Sequence, residues 1–123
     1  MFHGTASEIK TLNNTMMFLT HDIDAAKAYG DVVHVIELAA DANIGDESDL
    51  REIVESLDYD WSEERPWGWL DYKKVRAAAI EAGFDGFQGD DCLPGTDGSS
   101  RDDQHDFTAV FNPAVSCRIV GLA

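Results

Sequence analysis

The residues of this sequence whose types could do chemistry are few and scattered: His3-Gly4-Thr5 at the start, Phe18-Leu19-Thr20, Tyr29, and, far along the chain, Gln88 and Asp106. Together they offer an imidazole, hydroxyls, two aromatic faces, an amide and a carboxylate. Such a set can hydrogen-bond a polar ligand, stack on a flat ring and place negative charge beside a developing cation. Other groupings offer less. Gly95-Thr96-Asp97-Gly98-Ser99-Ser100 lacks the Lys of a phosphate-binding loop. Asp90, Asp91, Asp97, Asp102 and Asp103 are hard-cation ligands by type, but their spacing matches no EF-hand loop and they read as a solvated loop. His34 lies in an apolar strand and reads as a satisfied core histidine, and His21 and His105 have no ligand spacing around them. Trp61, Trp67, Trp69 and Tyr72 read as core lining, which would mark a protein interface if exposed. Cys92 and Cys117 match no zinc or redox spacing and are expected as free thiols.

The chain has 123 residues, enough for one core, with 44% hydrophobic and 27% charged residues, the mixture of an ordinary globular domain. No apolar run approaches the roughly 20 residues that cross a bilayer. The N-terminus carries neither a basic nor a long apolar region of a secretion signal, so a cytoplasmic address is expected. Twenty-four acids against nine Lys and Arg give a formal charge of −15. A surface of that sign repels nucleic acid and anionic lipid, and favours a basic protein partner. The acids fall in two blocks: Asp41 to Glu64 holds ten, opposed only by Arg51, and Asp85 to Asp106 holds seven, opposed only by Arg101.

The elements that must position the candidate residues follow from pattern. Strands are expected at Met1–Gly4, Met16–Thr20, Val32–Ile36, Phe84–Gln88, Phe107–Phe111 and Ser116–Val120, the last two separated by an Asn112-Pro113 turn. Asp22 caps a short helix through Tyr29 that Gly30 closes. Leu50, Ile53, Val54 and Leu57 form the stripe of an amphipathic helix within the first acidic block, with Asp49 and Glu52 at its start. A third helix is expected from Asp71 to Ala82, stopped by Gly83, and Gly89 to Asp103 reads as a polar loop. About six strands and three helices make an α+β domain around a mixed sheet.

In order and context, the candidate residues resemble the ADP-ribosyltransferase family, in the branch of diphtheria toxin and the poly(ADP-ribose) polymerases. There a first strand carries His-Gly-Thr or His-Gly-Ser. A second carries an aromatic-x-Thr segment, and a helix with paired alanines and a Tyr leads into a Val-rich strand. His3-Gly4-Thr5, the run from Phe18 to Tyr29, and Val32 to Leu38 fit that order, while Gly83-Phe84-Asp85-Gly86-Phe87 and Phe107 to Pro113 are similar to the family's later strands. The resemblance implies one compact domain over 1–123, with an acidic helical insertion at about 41–69.

It also implies NAD as substrate. Cleaving ribose from nicotinamide passes through an oxocarbenium-like centre, so the site must hold the sugar and supply negative charge. By resemblance, His3 bonds a ribose hydroxyl, Gly4 and Thr5 position the same end, Phe18 and Tyr29 sandwich the nicotinamide, and Thr20 completes the pocket. The family's catalytic Glu lies in or just before a late strand; no Glu follows Glu81, so the candidates are Asp106, beside Phe107, and Gln88. The catalytic set is then His3, Tyr29 and Asp106. Two functions follow. One is a mono-ADP-ribosyltransferase that disables a basic host protein in a bacterial cytoplasm, such as a CRISPR effector, as phage anti-CRISPR proteins of this fold do. The other is an inactive acidic protein of the same fold that mimics nucleic acid and fills a basic groove.

Overall fold

The computed structural model describes residues 1–92 and 104–123. Seven strands among them form two sheets, with helices of seven or more residues at three places, an α+β fold as expected. The first sheet is antiparallel throughout, with β1 (Phe2–Thr5) and β7 (Cys117–Leu122) flanking β3 (Val32–Leu38). In the second, β2 (Met17–Leu19) pairs with β6 (Gln104–Val110), β6 with β5 (Gly86–Cys92), and β5, in parallel, with β4 (Ile44–Gly45). An isolated bridge joins the sheets: Phe2 N–H donates to Thr20 C=O at 2.7 Å and Thr20 N–H to Phe2 C=O at 3.0 Å.

Helix α1 (Ile23–Tyr29) starts where the sequence places it, because the Asp22 carboxylate accepts the orphan N–H groups of Asp24 and Ala25 at 2.9 and 3.2 Å. It buries Ala25 and Ala26 and rests on β1 backbone to backbone. A Cβ on Gly4 would fall inside the Ala26 carbonyl, and one on Gly30 inside the Thr5 backbone. Only glycine permits that approach.

Helix α2 (Glu47–Ser56) begins earlier than expected. Asp46 is its cap, accepting Asp49 N–H at 3.0 Å while the Asp49 carboxylate accepts Asp46 N–H at 3.0 Å. Asp49 is therefore the third residue of a capping box rather than its first. The segment 41–69 contributes to the main core: Leu50, Val54 and Trp69 are among the least exposed residues and share it with α3 (Lys73–Glu81), β5 and β6 through Val75, Ala79, Phe87 and Phe107. On α2 itself Glu47, Glu52 and Glu55 are exposed while Leu50 and Val54 are buried in the core.

Three other elements differ from expectation. Strand β5 runs on through Gly89 and Asp90 to Cys92, where polar residues conceal a strand paired by its backbone to β6. Strand β4 is two residues long, too short for any periodic signal. Pro113–Ser116 winds into a short helix, α4, Pro supplying a ready first turn. No helix among the described residues is long and apolar enough to cross a membrane.

Gly4→Ala is expected to lower stability by about 2–3 kcal/mol, because the methyl must push α1 from β1. Gly121→Ala, where nothing lies within 4 Å of the added carbon, serves as control and should shift urea unfolding by no more than about 0.5 kcal/mol. Equal shifts in the two variants would contradict the close seating of α1.

Candidate functional site

At the bridge between the sheets lies a cleft of about 140 Å³. Five of the sequence-derived residues line it: His3 and Gly4 from β1, Phe18 from β2, Thr20 just beyond, and Tyr29 at the end of α1. Phe2, Leu19, Ala26, His105 and Phe107 complete the wall. An apolar cavity of about 150 Å³ takes a benzene ring, so this one accepts a single six-membered ring and leaves any longer ligand to extend outside. Among the described residues that line it none is an Asp, Glu, Lys or Arg, in a chain with 24 acids.

His3 is held for hydrogen bonding rather than charge. Its Nδ1–H donates to Phe18 C=O at 2.7 Å. Partial burial is the main influence pushing this imidazole below its usual value; the Phe18 carbonyl opposes that and the nearby His34 adds to it. The ring is therefore neutral at pH 7, the proton is on Nδ1, and Nε2 is an acceptor that no hydrogen bond engages among the described residues. Beneath it His34 is fully buried and satisfied, as expected, accepting Ile9 N–H on Nε2 at 2.8 Å and donating from Nδ1 to His3 C=O at 3.2 Å.

The two aromatic candidates present open faces: Phe18 is 45% and Tyr29 51% exposed. Each is packed from behind. The Phe18 ring leans on Phe107 at 6.0 Å between centroids, and Trp67 meets Phe107 edge-on at 4.9 Å. Tyr29 stands edge-on to His105 at 5.8 Å. Trp69 is buried and Trp61 and Trp67 are half-buried around the core, so the tryptophans line the core as expected.

Three candidates are placed differently. The Thr5 hydroxyl donates to Ser7 C=O, and Thr5 does not line the cleft. Gln88 is exposed on β5 opposite Thr108, away from the lining residues. Asp106 lies just before Phe107 as expected, but its carboxylate is held elsewhere, since strand pleating puts His105 and Phe107 on the cleft side and Asp106 on the other. Its Oδ1 accepts the Thr20 hydroxyl at 2.9 Å, while Oδ2 accepts His21 N–H at 3.0 Å and meets His21 Nδ1 at 2.8 Å. Partial burial works to raise this carboxyl, but the His21 and Thr20 hydrogen bonds outweigh it and hold Asp106 below the usual carboxylate range. Gly4 lines the cleft, yet the room its missing side chain leaves is taken by the Ala26 carbonyl rather than left for a ligand.

Sequence reasoning missed His105. It is 8% exposed, donates from Nδ1 to Asp106 C=O at 2.7 Å, and through Nε2 meets the Tyr29 hydroxyl at 3.0 Å. Only its place beside Asp106 could have signalled it. Gly95–Ser100, Asp97, Asp102 and Asp103 lie outside the described residues; among the described residues no cluster of His, Cys, Asp or Glu is built to hold a metal ion. Cys117 is a free thiol whose pKa burial raises. Comparison of the chain with protein-family models, with curated proteins and with solved structures finds no match.

The Asp106 arrangement has a pH signature. A carboxyl held below its unfolded value, near 3.9, stabilises the fold fully above about pH 4 and loses that contribution as pH falls through its native value. Asp106→Asn is expected to cost about 1–2 kcal/mol at pH 7, with the gap to wild type closing as unfolding is measured at progressively lower pH below 4. A gap constant down to pH 2 would contradict the hydrogen-bonded carboxylate.

Proposed function

We propose that the protein is a mono-ADP-ribosyltransferase-like protein that takes the nicotinamide end of NAD into this cleft and modifies a host protein. One observation carries the reading: His3, Phe18, Thr20 and Tyr29, the residues that carry the sequence resemblance, converge on one ring-sized cleft whose described lining residues include no Asp, Glu, Lys or Arg. The residues fit the ring and its sugar. Phe18 and Tyr29 supply the aromatic faces, and neutral His3 offers Nε2 to a ribose hydroxyl. The lining's lack of carboxylates supports entry of an anionic dinucleotide, because at physiological salt the remaining acids act over a Debye length of about 8 Å. NAD supplies an ADP-ribosyl group, released from nicotinamide by cleavage of one glycosidic bond. The chain's task is to hold the sugar, keep the ring flat and manage the acceptor's proton. The net charge of −15 favours a basic target, of the kind found in nucleic-acid-binding machinery such as a CRISPR effector in a bacterial cytoplasm, the setting of a phage counter-defence factor.

A second reading has one observation in its favour. With the Asp106 carboxylate taken up by Thr20 and His21, the protein would bind NAD weakly or without turnover. Its acids would then act as a mimic of nucleic acid, filling a basic groove.

Incubation with NAD and bacterial lysate separates the two. Transfer is expected to leave ADP-ribose on a lysate protein, detected by its added mass. His3→Ala is expected to weaken NAD binding at least about tenfold by calorimetry, the equivalent of one lost hydrogen bond. No NAD binding by the wild type, together with unchanged target inhibition by His3→Ala without NAD, would overturn the transferase reading. Reversing several acids between Asp46 and Glu64 should abolish inhibition under the second reading and leave NAD binding intact.

A further inference from the structure

The cleft contains an imidazole that the reading above leaves without a task. His105 lines the wall and is almost wholly buried. Its protonation pattern is fixed by its neighbours. A carbonyl oxygen only accepts, so Nδ1, 2.7 Å from Asp106 C=O, must carry a hydrogen. In the neutral ring Nε2 is then a bare acceptor, and the Tyr29 hydroxyl, 3.0 Å away, donates to it. Tyr29 is half exposed in the same cleft. A half-exposed phenol of the cleft thus connects directly to a buried imidazole whose far nitrogen is anchored on the backbone.

We propose that Tyr29 and His105 form the proton relay of the transfer reaction, with His105 as its base. This rests on the NAD reading. Tyr29 oxygen takes the proton of the incoming nucleophile, a side chain or water, as that nucleophile bonds to ribose C1′ and the bond to nicotinamide breaks, the bonding pair leaving with the ring. Tyr29's own proton moves to His105 Nε2. The imidazolium keeps Nδ1–H on Asp106 C=O and Nε2–H on the Tyr29 oxygen, then returns its proton to solvent. NAD and water give ADP-ribose, nicotinamide and one proton. The relay fills the gap left by Asp106, whose oxygens are occupied by Thr20 and His21. His3 does not serve, because its remaining nitrogen is assigned to the ribose.

The test uses the purified full chain with NAD and water as acceptor, following nicotinamide release by chromatography, NAD affinity by calorimetry and the His105 ring nitrogens by ¹⁵N NMR. His105→Gln keeps an acceptor for the Tyr29 hydroxyl but is no base. It is expected to hold NAD within about threefold of wild type while release falls about 100-fold or more, the scale of general base catalysis. Tyr29→Phe keeps the ring and should lose release to a similar degree, the double variant being no slower than either single one. The NMR is expected to show Nδ1 protonated and Nε2 bare, with the Nε2 resonance moving in Tyr29→Phe. Release by His105→Gln within threefold of wild type would overturn the relay, as would affinity falling in step with rate or a proton on Nε2 with Nδ1 bare. Wild type that binds NAD yet releases no nicotinamide above the uncatalysed rate also overturns the relay but leaves NAD binding standing. Wild type that binds no NAD overturns the NAD reading itself.

Discussion

Among the described residues one pair of backbone hydrogen bonds, between Phe2 and Thr20, bridges the two sheets, and the cleft lies beside that bridge. Beyond that bridge β1 pairs with β3 and β2 with β6, while Ile36 of β3 packs on Leu19 and Val110 in a shared buried cluster, so the cleft opens at the bridged end. His3 reaches across the same seam to the Phe18 carbonyl, which fixes the distance between the two strands and at the same time sets the tautomer of the imidazole. On the other side, α1 sits on β1 without intervening side chains, which brings Tyr29 close enough to close the gap against His105 and Phe107 on β6. Position and chemistry therefore come from the same few contacts.

Charge sets the second constraint. A chain with a formal charge of −15 repels anionic ligands at long range, yet no acid is among the described residues of the cleft wall. The carboxylates nearest to it in sequence face backbone donors: Asp22 caps α1, and Asp106 takes the His21 N–H and the Thr20 hydroxyl. Each has its charge partly balanced where it would otherwise oppose a ligand. Among the described residues most of the remaining acids are exposed, Glu47, Glu52 and Glu55 of α2 among them.

What was legible in the sequence follows from the range of the interactions involved. Helix α1 could be read almost to the residue because its limits are local: Asp22 caps it and Gly30 ends it. The start of α2 was displaced because Asp46, Asp49 and Glu52 repeat the same three-residue spacing, and only the hydrogen bonds choose among them. The apolar stripe of the 41–69 segment was legible among its acids because Leu50, Ile53, Val54 and Leu57 repeat at helical spacing, and the core uses them. At the cleft, residue types with a local signature, such as His3 beside Gly4 and Tyr29 beside Gly30, were found. His105 and the engagement of Asp106 were not, because both depend on contacts across 76 and 85 or more residues that no spacing reveals. At Gly4 the room that the missing side chain leaves is taken by the Ala26 carbonyl of α1, a contact between elements that no local spacing reveals.

A crystal structure of the protein with NAD tests the central claim most directly. The expected result places the nicotinamide ring in the cleft between Phe18 and Tyr29, with a ribose hydroxyl within hydrogen-bond distance of His3 Nε2. A dinucleotide bound elsewhere on the molecule, or a cleft that stays closed to it at saturating concentration, would contradict the claim.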